Sequence, residues 1–554
     1  MNRRQFLSTT LGGAAALAVG RLALGQAKKR PNVVLIMTDD QGFGDMSCHG
    51  NTKLATPNID RVCHEGIEFT QFFVCPVCAP TRACLMTGRY NYRTGVTDTY
   101  LGRAMMHGDE VTVAEMLAKA GYRTGIFGKW HLGDNVPMWP EEQGFGEVLV
   151  HNGGGIGQPS DPPGSSYFDP VLRHNGAWGK HKGYCTDVFF DAAMEFIEAN
   201  RARPWFAYIP TNAPHGPFQV ADKYWKPYKA KGLDDRTAKV YGMVQNIDEN
   251  MGRLFAKLDA LKLTNDTIVI FLTDNGPNGR RYNCGLRGHK GSVYEGGIRT
   301  AFFMRWPARL KAGRKVDRIA GHIDLAPTLL DACGATPPQN VKFDGRDLLP
   351  LALGTAGDWP DRTLYVQWHR GDAPTRYRAC AARGQRYKLV NGKQLYDIPN
   401  DPGEKKDIAA AHPGIVERMR KGYDAWFDDV SATRGYAPPR IHIGAPAENP
   451  TVLTKQDWRG PRAGWRPNSL GHWEVKVVAA GAYEVKLRFR RMKAAGEAEF
   501  RLGSVTHKTS VAKGATSCVF PNLALAPGDG RVEAWVKLGG KTFGVSYVDL
   551  ERKP

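Results

Sequence analysis

The chain has 554 residues and carries 75 lysines and arginines against 55 aspartates and glutamates, a formal net charge of +20 at pH 7. Its length indicates more than one folding unit. So basic a protein favours a polyanionic ligand. Nucleic acid is argued against, because the positive residues are dispersed and no nucleic-acid-binding motif is present.

The first 27 residues have the features of an export signal. Residues 2–7, NRRQFL, resemble a twin-arginine motif, an Ala/Gly/Leu-rich stretch follows, and residues 25–27 form a candidate cleavage site. The apolar stretch is too short and too rich in glycine for a membrane span, and no later apolar run reaches that length. We therefore expect export in the folded state to a bacterial periplasm or the exterior, with no stable membrane insertion.

Two apolar runs end in the same kind of polar sequence. Residues 32–37, NVVLIM, precede TDDQGFG, and residues 267–272, TIVIFL, precede TDNG. Both runs are typical of buried parallel strands, and ligands of open α/β sheets bind at the carboxyl ends of strands. A single copy could equally be a solvated turn, but the repetition favours a hard-cation site. The predicted ligands are Asp39, Asp40, Asp274 and Asn275, whose oxygens suit Ca²⁺ or Mg²⁺.

Residues 78–89, CAPTRACLMTGR, are the most informative run in the chain. Pro80 suits the first turn of a helix, whose positive end would favour an anion beside Cys78. The alternative interpretation is a buried structural cysteine. The run resembles the signature of the type I, formylglycine-dependent sulfatases, which include the arylsulfatases and belong to the alkaline phosphatase-like superfamily. In that family the cysteine is oxidised before folding to formylglycine, whose hydrate attacks the sulfur of a sulfate ester.

Three further segments resemble blocks of the same family, and the roles below are those that the resemblance implies. Residues 121–133, GYRTGIFGKWHLG, contain Lys129 to bind sulfate and His131 to take the proton of the second hydroxyl. Phe127 is bulkier than the family pattern, which affects packing and not chemistry. Residues 211–217, TNAPHGP, contain His215 to stabilise or protonate the leaving group.

The last block, residues 286–299, contains Lys290, which should bind sulfate and assist the departing oxygen. Arg82 should hold the aldehyde hydrate and offset the acidic ligands. The resemblance also implies that residue 78 itself contributes oxygens to the metal, which is Ca²⁺ rather than Mg²⁺, and that a cytoplasmic formylglycine-generating enzyme is a partner.

The predicted fold class is α/β, alkaline phosphatase-like: a large central mixed, mostly parallel sheet flanked by helices, a small α+β C-terminal subdomain and an appended β-sandwich. The expected boundaries are 28–355 for the catalytic domain, 356–430 for the subdomain, 431–468 for a linker and 469–554 for the sandwich. Residues 152–159, NGGGIGQP, should form a loop over the site that selects the substrate.

The β-sandwich is predicted from period-two alternation in five segments, 473–478, 483–489, 498–502, 531–537 and 545–550. Its aromatic residues could stack on sugar rings, in which case the module binds carbohydrate. The alternative is that Trp473 and Trp535 belong to its core and that the module only packs against the catalytic domain.

The resemblance to the type I sulfatases implies a sulfuric ester hydrolase acting on sulfated carbohydrate or on small sulfate esters such as aryl sulfates. Two alternatives stay open at this point. One is a phosphoester or phosphonate hydrolase of the same superfamily, and the other is a non-catalytic protein that binds sulfated glycans.

Overall fold

The computed structural model describes residues 30–554. The expected signal peptide, residues 1–27, lies outside the described residues. No helix in residues 30–554 is both long enough and apolar enough to cross a membrane.

The strands are, in chain order, β1 (Asn32–Thr38), β2 (Ile67–Phe69), β3 (Phe72–Phe73), β4 (Arg123–Lys129), β5 (Glu147–His151), β6 (Val171–His174), β7 (Ala177–Lys180), β8 (Trp205–Pro210), β9 (Thr267–Thr273), β10 (Arg299–Thr300), β11 (Phe302–Arg305), β12 (Arg314–Val316), β13 (Ala320–Gly321), β14 (Leu364–Gln367), β15 (Cys380–Arg383), β16 (Tyr387–Val390), β17 (Gln394–Asp397), β18 (Ile441–Ile443), β19 (Thr451–Thr454), β20 (His472–Val477), β21 (Gly481–Arg488), β22 (Gly496–Leu502), β23 (Val505–Val511), β24 (Ser517–Leu525), β25 (Gly528–Leu538), β26 (Lys541–Gly544) and β27 (Tyr547–Arg552).

The α-helices are α1 (Pro57–Glu65), α2 (Cys78–Thr87), α3 (Asn91–Thr94), α4 (Val113–Lys119), α5 (Cys185–Ala199), α6 (Asp222–Ala230), α7 (Asp235–Ala260), α8 (Glu295–Ile298), α9 (Leu325–Cys333), α10 (Leu349–Leu353) and α11 (Pro413–Ala432).

A ten-stranded sheet in the order β12-β2-β11-β9-β1-β8-β4-β5-β6-β7 forms the centre of the molecule. Its middle, from β9 to β5, is wholly parallel, whereas β11, β6 and β7 run antiparallel to their neighbours. This sheet confirms the predicted α/β class with a mixed central sheet.

The side chains of β1 explain why helices cover both faces of this sheet. Val33, Leu35 and Met37 enter one hydrophobic core, and Val34 and Ile36 enter the other. Helices α4 and α9 contribute to the first core, and α5 and α7 to the second. A strand buried on both sides must be apolar at every position, which is the pattern of a central parallel strand.

The parallel register places the two polar sequences side by side. Asn32 pairs with Thr267 and Thr38 with Thr273, so β1 and β9 end at the same level. The Asp274 backbone N–H then donates to the Thr38 carbonyl at 3.0 Å. Residues 39–40 and 274–275 therefore leave the sheet together at its carboxyl edge.

The region after the central sheet has its own small antiparallel sheet, β14-β15-β16-β17, with α11 packed against it. Met419, Tyr423 and Trp426 are buried on one face of α11, and Ile415 packs partly buried on the same side. This is the helix face that the i, i+4, i+8, i+11 spacing predicts.

The C-terminal region is a β-sandwich of two sheets, β18-β20-β25-β22-β23 with β26, and β19-β27-β21-β24. Strands β18 and β19 lie within residues 431–468, which the sequence predicts to be a linker. That prediction arises because turn residues dominate the composition of this range and each strand is only three or four residues long. Strands β23 and β24 lie between the segments that alternation identified. Trp473 is fully buried, as the core alternative requires, and Trp535 is half-buried.

Candidate active site

Four buried oxygen-bearing side chains meet at the carboxyl edge of the central sheet: Asp39, Asp40, Asp274 and Asn275. The Asp40 backbone N–H donates to Oδ1 of Asp274 at 3.2 Å, and Nδ2 of Asn275 donates to Oδ1 of Asp40 at 2.9 Å. Asp40 adopts a left-handed backbone with φ 64°. The backbone thus turns sharply after β1 and aims successive carboxylates into one space.

This group has the chemistry of a divalent-cation site. Oδ1 of Asp39 and Oδ1 of Asn275 are buried and accept no hydrogen bond. A buried acceptor without a donor costs roughly 1–3 kcal/mol, and a hard cation would remove that cost. Single ligand atoms of Asp39, Cys78 and Asp274 lie within 4.8 Å of one another. The donor set therefore fits Ca²⁺ or Mg²⁺.

Cys78 is the first residue of α2 and is buried. Burial, and less strongly the Asp39 and Asp274 carboxylates, raise the pKa of its thiol, although Lys129 and Lys290 act in the opposite direction. An unmodified thiol here is thus a weaker nucleophile at neutral pH than a free cysteine.

Arg82, one turn into α2, joins the helix to the ends of β1 and β9. Its guanidinium donates to Oδ2 of Asp274 at 2.8 Å and to the Lys129 carbonyl at 2.9 Å. Burial of Asp274 and the neighbouring Asp39 charge raise the pKa of Asp274 to about 7, against the attraction of Arg82. Arg82 offsets part of the repulsion among these carboxylates.

Two lysines reach the same space from different elements. Lys129 is the last residue of β4, is fully buried and forms an ion pair with Asp39. Lys290 lies in the loop after β9, and its Nζ is 2.5 Å from Oδ1 of Asp40. Burial opposes the charge of Lys290, but Asp40 and Cys78 raise its pKa above the usual value. Both ammonium groups are therefore held next to the carboxylates that follow β1.

His131 follows Lys129 by two residues and has a left-handed backbone, φ 60°. Its Nε2 lies 2.7 Å from the Thr99 carbonyl, and its Nδ1 is buried without a partner. Burial and then the Lys129 charge hold the pKa of His131 well below its ordinary value. The ring is neutral at pH 7, and because a carbonyl only accepts, the proton is on Nε2 and Nδ1 is the basic nitrogen.

His215 approaches from the loop after β8. Its Nδ1 donates to the Gly216 carbonyl at 2.6 Å, and its Nε2 lies 3.8 Å from Oδ2 of Asp40. Burial and the Lys290 charge lower the pKa of His215, while Asp40 acts in the opposite direction. The two histidines thus leave different nitrogens without a carbonyl partner, Nδ1 of His131 and Nε2 of His215.

Three residues that sequence reasoning missed complete the polar shell. Nδ2 of Asn278 donates to Oδ2 of Asp40 at 3.0 Å, and the Arg281 guanidinium donates to the Asp40 carbonyl at 2.9 Å and binds Asp45. Asn278 and Arg281 follow the TDNG sequence closely, so their place in the chain could have indicated that they lie near the site. The pairing of Arg281 with Asp45, 236 residues away, has no local signature.

The glycine-rich loop lies over the histidines, as expected. A Cβ on Gly154 would be 3.0 Å from Nε2 of His131, and one on Gly155 would be 3.4 Å from Nδ1 of His215. Asp134 anchors this loop by accepting the Gly153 N–H at 2.9 and 3.0 Å. The loop backbone therefore forms one wall of the site.

The β-sandwich also reaches this wall. Nε2 of Gln456, which follows β19, donates to the Thr99 carbonyl at 3.2 Å. The same carbonyl accepts from His131. A residue of the C-terminal region thus shares a hydrogen-bond acceptor with a histidine of the candidate site.

The chain is similar to known proteins over most of its length. Residues 31–335 match the family described as Sulfatase, and residues 288–422 match N-sulphoglucosamine sulphohydrolase, C-terminal. It is 31% identical to arylsulfatase A of Homo sapiens over 482 residues, covering 75% of this chain and 89% of the relative. It is 29% identical to an N-acetylgalactosamine-6-O-sulfatase of Bacteroides thetaiotaomicron, with 71% and 93% covered.

Among solved structures, Ps i-CgsB in complex with k-i-k-neocarrahexaose superposes with a TM-score of 0.67 at 29% identity, covering 72% of this chain and 93% of that one. The phosphonate monoester hydrolase of Agrobacterium radiobacter superposes with a TM-score of 0.55 at 21% identity, with 74% and 96% covered. At that identity, the second similarity shows a shared fold alone.

Proposed function

Since the chain belongs to the sulfatase family and is a sulfuric ester hydrolase, we propose that it cleaves sulfate esters of carbohydrates with residue 78 as formylglycine and a divalent cation, Ca²⁺ rather than Mg²⁺, beside it. The observation that carries this proposal is the meeting of Cys78 with Asp39 and Asp274 within 4.8 Å at the start of a helix. A cytoplasmic formylglycine-generating enzyme would be the partner that modifies Cys78.

The two groups would supply the electrophilic and nucleophilic chemistry: hydrated formylglycine offers a hydroxyl to attack sulfur, and the cation offers positive charge next to it. Asp39, Asp40, Asp274 and Asn275 would hold the cation. Arg82 keeps Asp274 oriented through its 2.8 Å hydrogen bond.

Lys129 and Lys290 bind the sulfate oxygens in this proposal. The Lys129 ammonium pairs with Asp39 and the Lys290 ammonium with Asp40, and the charges of both act on Cys78 at the start of α2. A unit charge pair at about 4 Å contributes roughly 4 kcal/mol at an effective dielectric near 20. Because both cations are already fixed in place, they stabilise the charge of the transferred group with little reorganisation.

The histidines divide the proton transfers. Nδ1 of His131 is the unprotonated nitrogen, because Nε2 donates to Thr99, and it accepts a proton from residue 78. His215 presents Nε2 beside Asp40, because its Nδ1 donates to Gly216. That nitrogen, together with the Lys290 ammonium, is placed to stabilise or protonate the leaving oxygen.

Sulfated carbohydrate is the substrate class we favour over small aryl sulfates. One relative is named an N-acetylgalactosamine-6-O-sulfatase, a structural neighbour holds a neocarrahexaose, and this chain has a formal charge of +20. The export signal expected in residues 1–27 supports a periplasmic or extracellular location, where such polysaccharides are met.

The test compares 4-nitrophenyl sulfate with 4-nitrophenyl phosphate at equal concentration, followed by a panel of sulfated oligosaccharides. The proposal expects a higher kcat/KM for the sulfate and release of sulfate from at least one oligosaccharide. Faster hydrolysis of the phosphate would favour a phosphoester or phosphonate hydrolase. Binding of the oligosaccharides without release of sulfate would favour a glycan-binding protein.

A further inference from the structure

A groove of about 580 Å³ lies between the loop over the active site and the β-sandwich. Pro159 and Pro163 of the loop form one wall. The other wall comes from the sandwich and includes Trp465, the segment Phe489 to Lys493, and Tyr547. The groove is therefore formed by the loop and the sandwich together. Neither the Sulfatase match nor the N-sulphoglucosamine sulphohydrolase, C-terminal match extends past residue 422, so the sandwich lies outside both.

The groove is positively charged without compensation. Arg490, Arg491, Lys493 and Lys455 line it, and no aspartate or glutamate does. Among residues 30–554, none of the three cations in the segment 490–493 forms an ion pair, although most other arginines of the sandwich do. Like charges held this close repel one another, so an anion between them would be bound favourably.

Lys455 forms the floor of the charged part. It is buried, and its Nζ donates to the Arg466 carbonyl at 3.0 Å. Burial and then the Arg490 charge lower the pKa of Lys455 to about 8. The ammonium also lies 4.8 Å from the centroid of the Trp458 ring, and no carboxylate within residues 30–554 pairs with it. An anion in the groove can therefore supply the counter-charge.

An exposed aromatic ring stands at the edge of the groove. Trp465 is 41% exposed and packs edge-on against Tyr100, with ring centroids 5.6 Å apart. Its orientation is thus constrained by a neighbour, while much of the side chain stays exposed. Rings held in this way bind the apolar face of a sugar, and they do so at low cost in conformational entropy.

Two short stretches of chain link the groove to residues of the active site. The glycine-rich loop touches His131 and His215 with Gly154 and Gly155, and four to eight residues later it lines the groove. Tyr100, which holds Trp465, follows Thr99, whose carbonyl accepts from His131. The four residues from Gly155 to Pro159 span at most about 14 Å, so a polysaccharide of several units is long enough to reach from the reacting ester to the groove.

We propose that this groove binds the sulfated sugar units of a polysaccharide beyond the unit whose ester is cleaved, with Arg490, Arg491, Lys493 and Lys455 binding sulfate groups and Trp465 stacking on a ring. The inference rests on the proposed function for the reacting ester. It makes the appended β-sandwich part of the substrate site and the enzyme one that acts on polymers.

Binding is tested first, on a Cys78→Ala background that cannot turn over. Isothermal titration with dextran sulfate and with unsulfated dextran compares this protein with one that also carries Arg490→Ala, Arg491→Ala and Lys493→Ala. We expect the triple change to weaken dextran sulfate binding roughly tenfold or more, since three charge-assisted contacts are lost. The matched control changes Lys476, Lys486 and Lys508 to Ala, which removes three exposed cations on β20, β21 and β23 that do not line the groove.

An equal loss of affinity in the control would overturn the proposal, because it would show attraction by net charge alone. Binding of unsulfated dextran as tight as that of dextran sulfate would overturn the role of the cations. Retained affinity in the groove variant would place the polymer elsewhere.

Turnover then separates this proposal from the proposed function. In protein with Cys78 intact, the groove variant and Trp465→Ala should keep kcat/KM for 4-nitrophenyl sulfate and raise KM for a sulfated polysaccharide. Trp465→Phe should recover part of the loss. If the wild type releases sulfate from neither the aryl sulfate nor the sulfated polysaccharide, the proposed function fails, while the titrations still report on the groove. An unchanged KM for the polysaccharide in both variants would contradict the groove.

Discussion

The carbonyl oxygen of Thr99 lies 2.7 Å from Nε2 of His131, and this contact determines which ring nitrogen is basic. The carbonyl can only accept, so Nε2 carries the proton and Nδ1, buried and without a partner, does not. His215 has the opposite arrangement, because its Nδ1 donates to Gly216. The two histidines are therefore not interchangeable, although the charges of Lys129 and Asp39 act on both.

Substituting the histidines separately should divide the reaction into its two halves. With His131→Ala we expect a first release of alcohol at near the normal rate and then slow release of sulfate, because the proton acceptor for the second half is missing. With His215→Ala the release of alcohol itself should slow, most for esters of poorly acidic sugar alcohols and least for aryl sulfates. Rapid-quench measurement of alcohol and sulfate in a single turnover distinguishes the two. Equal time courses for both variants would show that the roles are wrongly divided.

Removing the cation should abolish turnover and also change stability. Asp274→Asn and exhaustive chelation should each lower kcat roughly 100-fold or more, since fixed positive charge at the reacting group is lost. A cation that binds the native state raises Tm, so Ca²⁺ should raise the Tm of the wild type and not that of Asp274→Asn. Asp248→Asn is the matched control: this buried carboxylate binds the start of α1, with 2.9 and 2.8 Å hydrogen bonds from Asn58 and Ile59. It should lower Tm but keep the response to Ca²⁺.

The meeting of Asp39 and Asp40 with Asp274 and Asn275 could be predicted because parallel strands have a local signature. An apolar run followed by aspartate, found twice, is enough to place both ends at one edge, and the register of β1 with β9 brings them level. The grouping of Lys129 and His131 with these residues came from the family resemblance. The spacing Lys-x-His alone is compatible with an exposed strand.

Contacts between distant loops could not be predicted. Arg281 with Asp45, and Gln456 with Thr99, join segments that share no pattern. Short strands such as β18 and β19 gain their stability from the sheets that they join and not from their own sequence, so composition alone indicates a linker. In both cases, the loop contacts and the short strands, the partner that stabilises the segment lies far away in the chain.

The close approach of the loop to His131 gives a test of its position. A Cβ at Gly154 would lie 3.0 Å from the imidazole and from Oε1 of Gln158. Gly154→Ala should therefore displace the ring or the loop and lower kcat roughly tenfold, a loss of about 1.4 kcal/mol in transition-state stabilisation. The control is Gly146→Ala, where the nearest atom is 3.7 Å away. Steady-state kinetics of the two variants should differ, and similar rates would mean that the loop does not press on His131.

Buried carboxyls at the contact with the β-sandwich should make stability depend on pH. Burial raises the pKa of Glu448 from 4.5 to about 7, although it accepts hydrogen bonds from Asn135 and Val136. A carboxyl whose pKa is raised on folding binds more protons in the native state, so its contribution is full below pH 4.5 and is lost as pH rises towards 7.

Tm measured between pH 5 and 8 should accordingly fall with rising pH. Glu448→Gln should lower Tm throughout, because an amide cannot accept both hydrogen bonds, but it should flatten the slope. A slope as steep as that of the wild type would contradict a raised pKa at this residue.

The state of residue 78 is the most direct test, since every role assigned to the lysines and histidines depends on it. Active protein, produced in a cell that contains the formylglycine-generating enzyme, is digested, and the peptide spanning residues 78–82 is examined by mass spectrometry. We expect formylglycine at residue 78 in a fraction that rises with specific activity, and no activity from Cys78→Ala. Full activity in a preparation in which Cys78 is wholly unmodified would contradict the mechanism.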